Sequence, residues 1–162
     1  MRNPLQTLAR LTWTYRLLLR FHRLIPPIER VLRRLSGGRI GVLDLVGLPS
    51  VQVTVPGRKT GVMRTTTLQY VPDGDALLLV ASNWGAHNHP AWSANLMAAQ
   101  QVSVRRRGEQ FTAAVHTLTG PDRDLAWDKI IDFWPNYQIA QDLTGGRTFR
   151  VFKLTPIDAL TD

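Results

Sequence analysis

The stretch Gly57-Arg58-Lys59-Thr60-Gly61-Val62-Met63-Arg64, with Ala81-Ser82-Asn83-Trp84-Gly85 and Pro90-Ala91-Trp92-Ser93-Ala94-Asn95-Leu96 downstream of it, decides how the rest of the chain is read. Glycines on both sides of two cations predict a turn whose backbone N–H groups can face an anion. A second glycine-containing turn follows one strand later and opens a short helix that carries Trp92. Two polar turns that bracket one strand pair outline the two lips of a ligand groove. Each piece also has a plainer reading: a solvated basic hairpin tip, a serine that ends a strand, and an aromatic that fills a core.

Around these turns the pattern is that of strands. Val42–Leu48 and Val51–Val55 are rich in branched aliphatic residues, with a break at Gly47–Ser50. Arg64–Val71 alternates, Thr65, Thr67 and Gln69 against Thr66, Leu68 and Tyr70, and Asp73-Gly74 signals a hairpin. Ala76–Ala81 is an unbroken apolar run of strand length, which predicts a buried strand. Pro90 suits the first turn of a helix reaching Ala99. Val102–Arg107 and Gln110–Leu118 pair about a tight turn at Gly108-Glu109. Thr119 caps a helix from Pro121 to Phe133, with Asp122 and Asp124 at its positive end, and Thr148–Leu154 is the last strand. Hairpin-linked strands with only two internal helices predict an antiparallel, β-rich α+β domain. A doubly wound sheet would alternate strands and helices throughout.

Composition narrows the chemistry. The chain has 162 residues, enough for one domain with a real core. It has no cysteine, which excludes thiol catalysis, disulfides and cysteine-based metal sites. His22, His87, His89 and His116 form no helical metal-ligand pair, and His87-x-His89 reads as a solvated loop, so no metal is expected.

The net charge is +8, and residues 1–39 account for all of it, with nine arginines against Glu29 alone. The remaining residues hold 11 basic and 11 acidic side chains. The chain therefore divides into a basic arm, residues 1–39, and a neutral body, residues 40–162. Leu5, Leu8, Leu11, Tyr15, Leu18, Leu19, His22 and Ile25 fall on one side of a helix, broadly opposite Arg2, Arg10, Arg16, Arg20 and Arg23. Pro26-Pro27 ends that helix, and a second, over Ile28–Leu35, stops at Gly37-Gly38. Arg16 and Arg20 interrupt the longest apolar run, which falls short of the roughly 20 residues a membrane span needs. A signal-peptide cleavage site is also missing. Three roles remain open for the arm. Residues 2–35 can lie on an anionic membrane surface, pack on the body with arginines outward, or act as a transit peptide. The leucine stripe counts against nucleic acid. The expected location is cytoplasmic, peripheral at the inner face of the membrane if the arm meets lipid.

The ordered set Gly57, Arg58, Thr60, Gly61, Arg64, then Ala81, Ser82, Gly85, then Pro90, Trp92, Asn95, Leu96 resembles the deazaflavin-dependent nitroreductase and quinone reductase family, over roughly residues 40–157. The resemblance implies a split β-barrel, related to the FMN-binding split barrels, that uses coenzyme F420. FMN is the competing cofactor. The resemblance further implies that Gly57, Arg58, Lys59, Thr60, Gly61 and Arg64 meet the anionic phosphate and oligoglutamate tail. It places Ala81, Ser82, Asn83, Trp84 and Gly85 along the deazaflavin ring, with Pro90, Trp92 and Asn95 on the adjoining helix, and counts Thr66 among the cofactor-binding residues. Asn83 and Trp84 stand where relatives often carry Lys or Gly, and Trp84 adds a flat wall to the pocket.

Phe133-Trp134-Pro135-Asn136-Tyr137-Gln138-Ile139-Ala140 is similar to the family's Y-P-x-Y-x-x-Y stretch on the substrate side. Trp134 and Ala140 replace two of its tyrosines, and Tyr137 remains. The expected substrate pocket is thus Trp84, Trp134 and Tyr137, more apolar than in the nitroreductases. That argues against nitroreduction of the prototype substrates and leaves quinone reduction open. Thr67 stands where many relatives have Pro. The family's chemistry needs no protein nucleophile, because the cofactor carries the hydride. Tyr137 and Ser82 are the candidate proton donors to a reduced lipophilic acceptor. A carrier that binds F420 or FMN without turnover uses the same phosphate turn. A homodimer is a further expectation from the fold.

Overall fold

The computed structural model describes residues 25–37 and 48–157. The first helix of the arm, and all but Leu48 of the strand expected over Val42–Leu48, lie outside these. The second arm helix, α1, runs Ile25–Leu35, with Pro26 and Pro27 in its first turn, where a proline lacks no needed N–H. Six strands follow: β1 (Ser50–Pro56), β2 (Met63–Asp73), β3 (Ala76–Val80), β4 (Gln101–Arg106), β5 (Glu109–Leu118) and β6 (Val151–Pro156). Three helices lie among them: α2 (Ala91–Met97), α3 (Gly120–Phe133) and α4 (Asn136–Asp142). All strand pairs are antiparallel and close into a barrel in the order β1-β2-β3-β6-β5-β4. The expected antiparallel α+β barrel is the observed fold.

The apolar run of β3 has a direct cause. Leu77 and Leu79 point into the barrel with Val51, Val53, Val104, Phe152 and Leu154. Leu78 and Val80 point outward into a second core, roofed by Trp127 and Ile130 of α3 and by Tyr137 and Ala140 of α4. All five β3 residues are buried. No alternation is possible when both faces are covered. Each buried leucine contributes about 1.5–3 kcal/mol. α2 closes one end of the barrel with Leu96, and Trp92 packs on Phe152 with ring centroids 5.8 Å apart.

Four expectations need correction. The β4–β5 turn is Arg107-Gly108, not Gly108-Glu109: both residues have positive φ (52° and 92°), as a two-residue hairpin turn demands, and Glu109 already pairs with Arg106. Thr119 stands at the N-cap of α3, but its hydroxyl makes no capping bond, because Gly120 enters the helix at φ +54°. The last strand begins at Val151 rather than Thr148. The Phe149 N–H is taken by Gln141 Oε1 at 3.1 Å, and its ring is edge-on to Trp127 in the outer core. Finally, α4 is a third internal helix where two were expected. Its seven residues carry no long periodic signal, and burial of Tyr137 and Ala140 holds it.

Candidate active site

The β1–β2 connection folds on itself. Gly57 N–H donates to the Val62 carbonyl at 2.8 Å, and the Gly57 carbonyl accepts from Thr60 N–H at 3.1 Å and Gly61 N–H at 2.7 Å. A Cβ on Gly57 would sit 2.9 Å from Thr60 Oγ1, so only glycine fits this packing without a shift. Gly61 turns the chain at φ +67°. Val62 N–H donates to Thr60 Oγ1 at 3.4 Å, and Arg58 N–H to Asn95 Oδ1 at 3.1 Å. The amides expected to face an anion are thus largely engaged within the protein. The side chains of Arg58, Lys59 and Arg64 are exposed.

Beside this turn lies a cleft of about 310 Å³. Its floor and one side come from β2 (Thr66, Thr67, Leu68, Gln69) and the end of β3 (Val80). Ser82, Asn83 and Trp84 form a second side, Pro90 and Trp92 a third, and Trp134, Tyr137 and Leu48 the last. Four aromatic side chains from three separate segments therefore surround one space lined with a few polar groups, the usual make-up of a small-molecule site.

Of the residues expected at the site, Thr66, Ser82, Asn83, Trp84, Pro90, Trp92, Trp134 and Tyr137 line the cleft. Gly57, Arg58, Lys59, Thr60, Gly61 and Arg64 do not, but the Arg58–Asn95 bond ties their turn to α2, one helical turn from Trp92. Ala81 is fully buried in the barrel core, and its carbonyl is held by Arg147. Gly85 lies outside the cleft and acts through its size: at φ +80°, a Cβ there would come within 3.1 Å of the Ala140 carbonyl of α4. That close approach sets Trp84 beside the helix that carries Tyr137.

The strand sequence did not single out Gln69 as a ligand contact. Its Nε2 is buried and, among the described residues, has no hydrogen-bond partner; the side chain lines the cleft. A polar residue in the strand alternation was the available signal. Arg147 was missed altogether. Its guanidinium donates to the carbonyls of Ala81, Ser82 and Ala86, 61 to 66 residues away in sequence. His89, expected in a solvated loop, lies half-buried with Nδ1 3.0 Å from Arg147 Nη1. Burial, then Arg150 and Arg147, lower its pKa below the usual 6.5. His87 Nδ1 is 3.1 Å from the Thr144 carbonyl. Among the described residues no group of His, Asp and Glu could hold a metal ion.

Comparison with known proteins accounts for the arrangement. Residues 28–156 match the family model of F420H(2)-dependent quinone reductases. The F420H(2)-dependent quinone reductase Rv1261c of Mycobacterium tuberculosis is 36% identical over 91 residues, 56% of this chain and 61% of that protein's length. The chain thus spans about three fifths of the curated relative it matches. A solved F420-H2 dependent reductase, FDR-A, superposes with a TM-score of 0.59 at 30% identity, covering 65% of this chain and 93% of that one. A structure described as a domain-swapped dimer superposes at 0.62 with 28% identity, over 78% of this chain and 92% of its own. With the matched segment running from α1 to the last barrel strand, and the turn, cleft and aromatic walls all inside it, this chain belongs to the F420H(2)-dependent quinone reductase family.

Proposed function

We propose that this protein is a reductase that uses F420H2 to reduce a quinone-like, lipophilic acceptor. The observation that carries the reading is the assembly of Ser82, Trp84, Trp92 and Tyr137, from three separate sequence motifs, around one cleft beside three exposed cations. Flat aromatic walls suit a planar ring, and Arg58, Lys59 and Arg64 suit its anionic phosphate and tail. Guanidinium pairs two oxygens at once, and lysine acts as a point charge.

When bound, F420H2 supplies the hydride, from C5 of its reduced ring. The protein's own groups bind, orient and protonate. Thr66 and Ser82 offer hydroxyls to the polar edge of the ring. Trp84 and Trp134 exclude water and hold an apolar acceptor against it. The Tyr137 O–H, at the acceptor side, delivers a proton to the oxygen that gains charge as hydride arrives. Gln69 Nε2 donates to a carbonyl oxygen, which satisfies an otherwise unpartnered buried amide.

The arm, residues 1–39, extends this reading. Ile28, Val31 and Leu35 are spaced on one side of α1 and are all exposed, beside Arg34. That pattern supports contact with an anionic membrane surface, where quinones reside. Among the described residues no helix is long and apolar enough to cross a membrane. The domain-swapped dimer among the structural neighbours supports a homodimer.

Titration with F420 and with FMN, followed by tryptophan fluorescence, tests the reading. Micromolar F420 binding, weaker FMN binding, loss of roughly tenfold in affinity in Arg58→Ala/Lys59→Ala, and oxidation of F420H2 by a quinone are expected. Binding of F420 without turnover of any quinone would leave a carrier. Failure to bind F420 would overturn the proposal.

A further inference from the structure

Trp84 lies in the left-handed region of backbone space (φ +57°, ψ +23°), directly after Asn83 at φ +48°. Asparagine tolerates this conformation, but for tryptophan it is a true outlier. Such geometry persists only where the surroundings over-determine it. Here they do so from two sides.

On one side is Arg147. Its Nη1 donates to the Ala81 carbonyl at 3.0 Å and its Nη2 to the Ser82 carbonyl at 2.7 Å. Nε and Nη2 reach the Ala86 carbonyl at 3.1 and 2.8 Å. These carbonyls flank the two left-handed residues before and after. The planar fork of guanidinium can hold several acceptors at once in fixed geometry, which a lysine cannot. The guanidinium also lies 4.6 Å from the centre of the buried Phe149 ring, which fixes its plane. On the other side, Gly85 lets the turn close on the Ala140 carbonyl. Arg147 itself does not line the cleft. Among the described residues it makes no ion pair with a carboxylate, and its hydrogen bonds go to the turn carbonyls and to His89 Nδ1.

We propose that Arg147 is a positioning residue. By bracketing the carbonyls of Ala81, Ser82 and Ala86 it holds Trp84 in a left-handed conformation, and so fixes the indole as the wall against which the acceptor packs. Without the fork, the backbone at Trp84 relaxes to negative φ, the indole leaves its place, and the cleft widens. A glycine at residue 84 would keep the turn without a brace and lose the wall. The tryptophan keeps the wall and therefore needs the brace. The part concerning the acceptor rests on the proposed reductase activity; the part concerning the turn does not.

Hydrogen exchange of the segment 82–90, read by mass spectrometry on the full chain without ligand, tests the brace. Arg147→Met is expected to speed exchange there by about 5–30-fold, the factor by which a left-handed L-residue is disfavoured. In a Trp84→Gly background the same Arg147→Met change is expected to cost much less, because glycine is not strained at this φ. Equal losses in both backgrounds, or no loss in either, would overturn the proposal. If Arg147→Met does not fold, Arg147→Lys keeps the charge, loses the fork, and is read in the same cycle. In turnover, Arg147→Met and Trp84→Gly are each expected to raise the acceptor KM several-fold with a smaller effect on kcat, and not to add in the double variant. Additive KM effects would show that Arg147 does not act through Trp84. A protein that binds no F420 would end the reductase reading while the exchange cycle still decides the brace.

Discussion

The backbone N–H of Arg58 donates to the side-chain oxygen of Asn95 at 3.1 Å, and that bond joins two motifs 37 residues apart. It fixes the basic turn against the helix that carries Trp92. The cations proposed to meet an anionic tail and an aromatic wall of the cleft are thus joined by one hydrogen bond. Asn95→Ala removes the acceptor and keeps every charge. A net loss of about 0.5–1.5 kcal/mol is expected for one such bond, which is roughly a 2–10-fold weaker F420 affinity in a fluorescence titration. Unchanged affinity would mean that the turn does not need α2 to hold its shape.

Gln69 makes a prediction of opposite signs. Its buried Nε2 has no hydrogen-bond partner among the described residues. Gln69→Leu removes an unsatisfied donor and should raise thermal stability by a few degrees, since such groups cost about 1–3 kcal/mol. The same change should lower kcat/KM for a carbonyl-bearing acceptor by about tenfold. A ring-edge carbonyl of F420 is the other source of an acceptor oxygen, and a fall in F420 affinity would identify it. A variant that is less stable and equally active would remove Gln69 from the site.

Tyr137 is buried on α4 and lines the cleft. Tyr137→Phe keeps the ring and removes the O–H. If that group delivers the proton, kcat should drop by roughly 10²-fold or more with F420 affinity unchanged. A drop of less than about twofold would assign protonation to Ser82 or to water.

His89 makes stability of the turn depend on pH. Burial, Arg150 and Arg147 favour its neutral form in the folded protein, so its pKa lies below the usual 6.5. The unfolded chain then binds the proton more readily. The stabilisation is fully present above pH 6.5 and is lost as pH falls from there through the folded pKa. Protonation also sets a cation against Arg147 Nη1. Melting temperature should therefore fall more steeply below pH 6.5 in the wild type than in His89→Asn. Asp73, held low by its bonds to Lys129 and Lys153, titrates below 3.8 and leaves this window clear. Parallel curves for the two proteins would exclude His89 as the source.

The parts of the fold legible in the sequence were those with a local cause. Val51, Val53 and Val55 alternate because one face meets the barrel core, and Ala76–Val80 does not alternate because both faces are covered. Gly57 and Gly85 entered the candidate site through the resemblance; neither lines the cleft, and Gly85 lies instead against the Ala140 carbonyl. Where two local solutions were equivalent, the reading slipped: a glycine fits either central position of a two-residue turn, and only pairing of Arg106 with Glu109 decides for Arg107-Gly108. Arg147 was invisible for a different reason. Its partners are backbone carbonyls, which carry no side-chain signature, and they lie more than 60 residues away. Helix α4 was hidden too, because seven residues after a proline form a helix here only when Tyr137 and Ala140 are buried.

Trp84, Trp134 and Tyr137 sit on segments that belong to no strand, whereas Thr66–Gln69 and Val80 belong to the closed hydrogen-bonded ladder. Substitutions in the first group leave the register of every strand intact. Those in the second risk shifting the pairing of β2 with both of its neighbours. The two sides of the cleft therefore differ in what a substitution disturbs: packing of the outer core at Trp134 and Tyr137, strand pairing at Thr66–Gln69 and Val80.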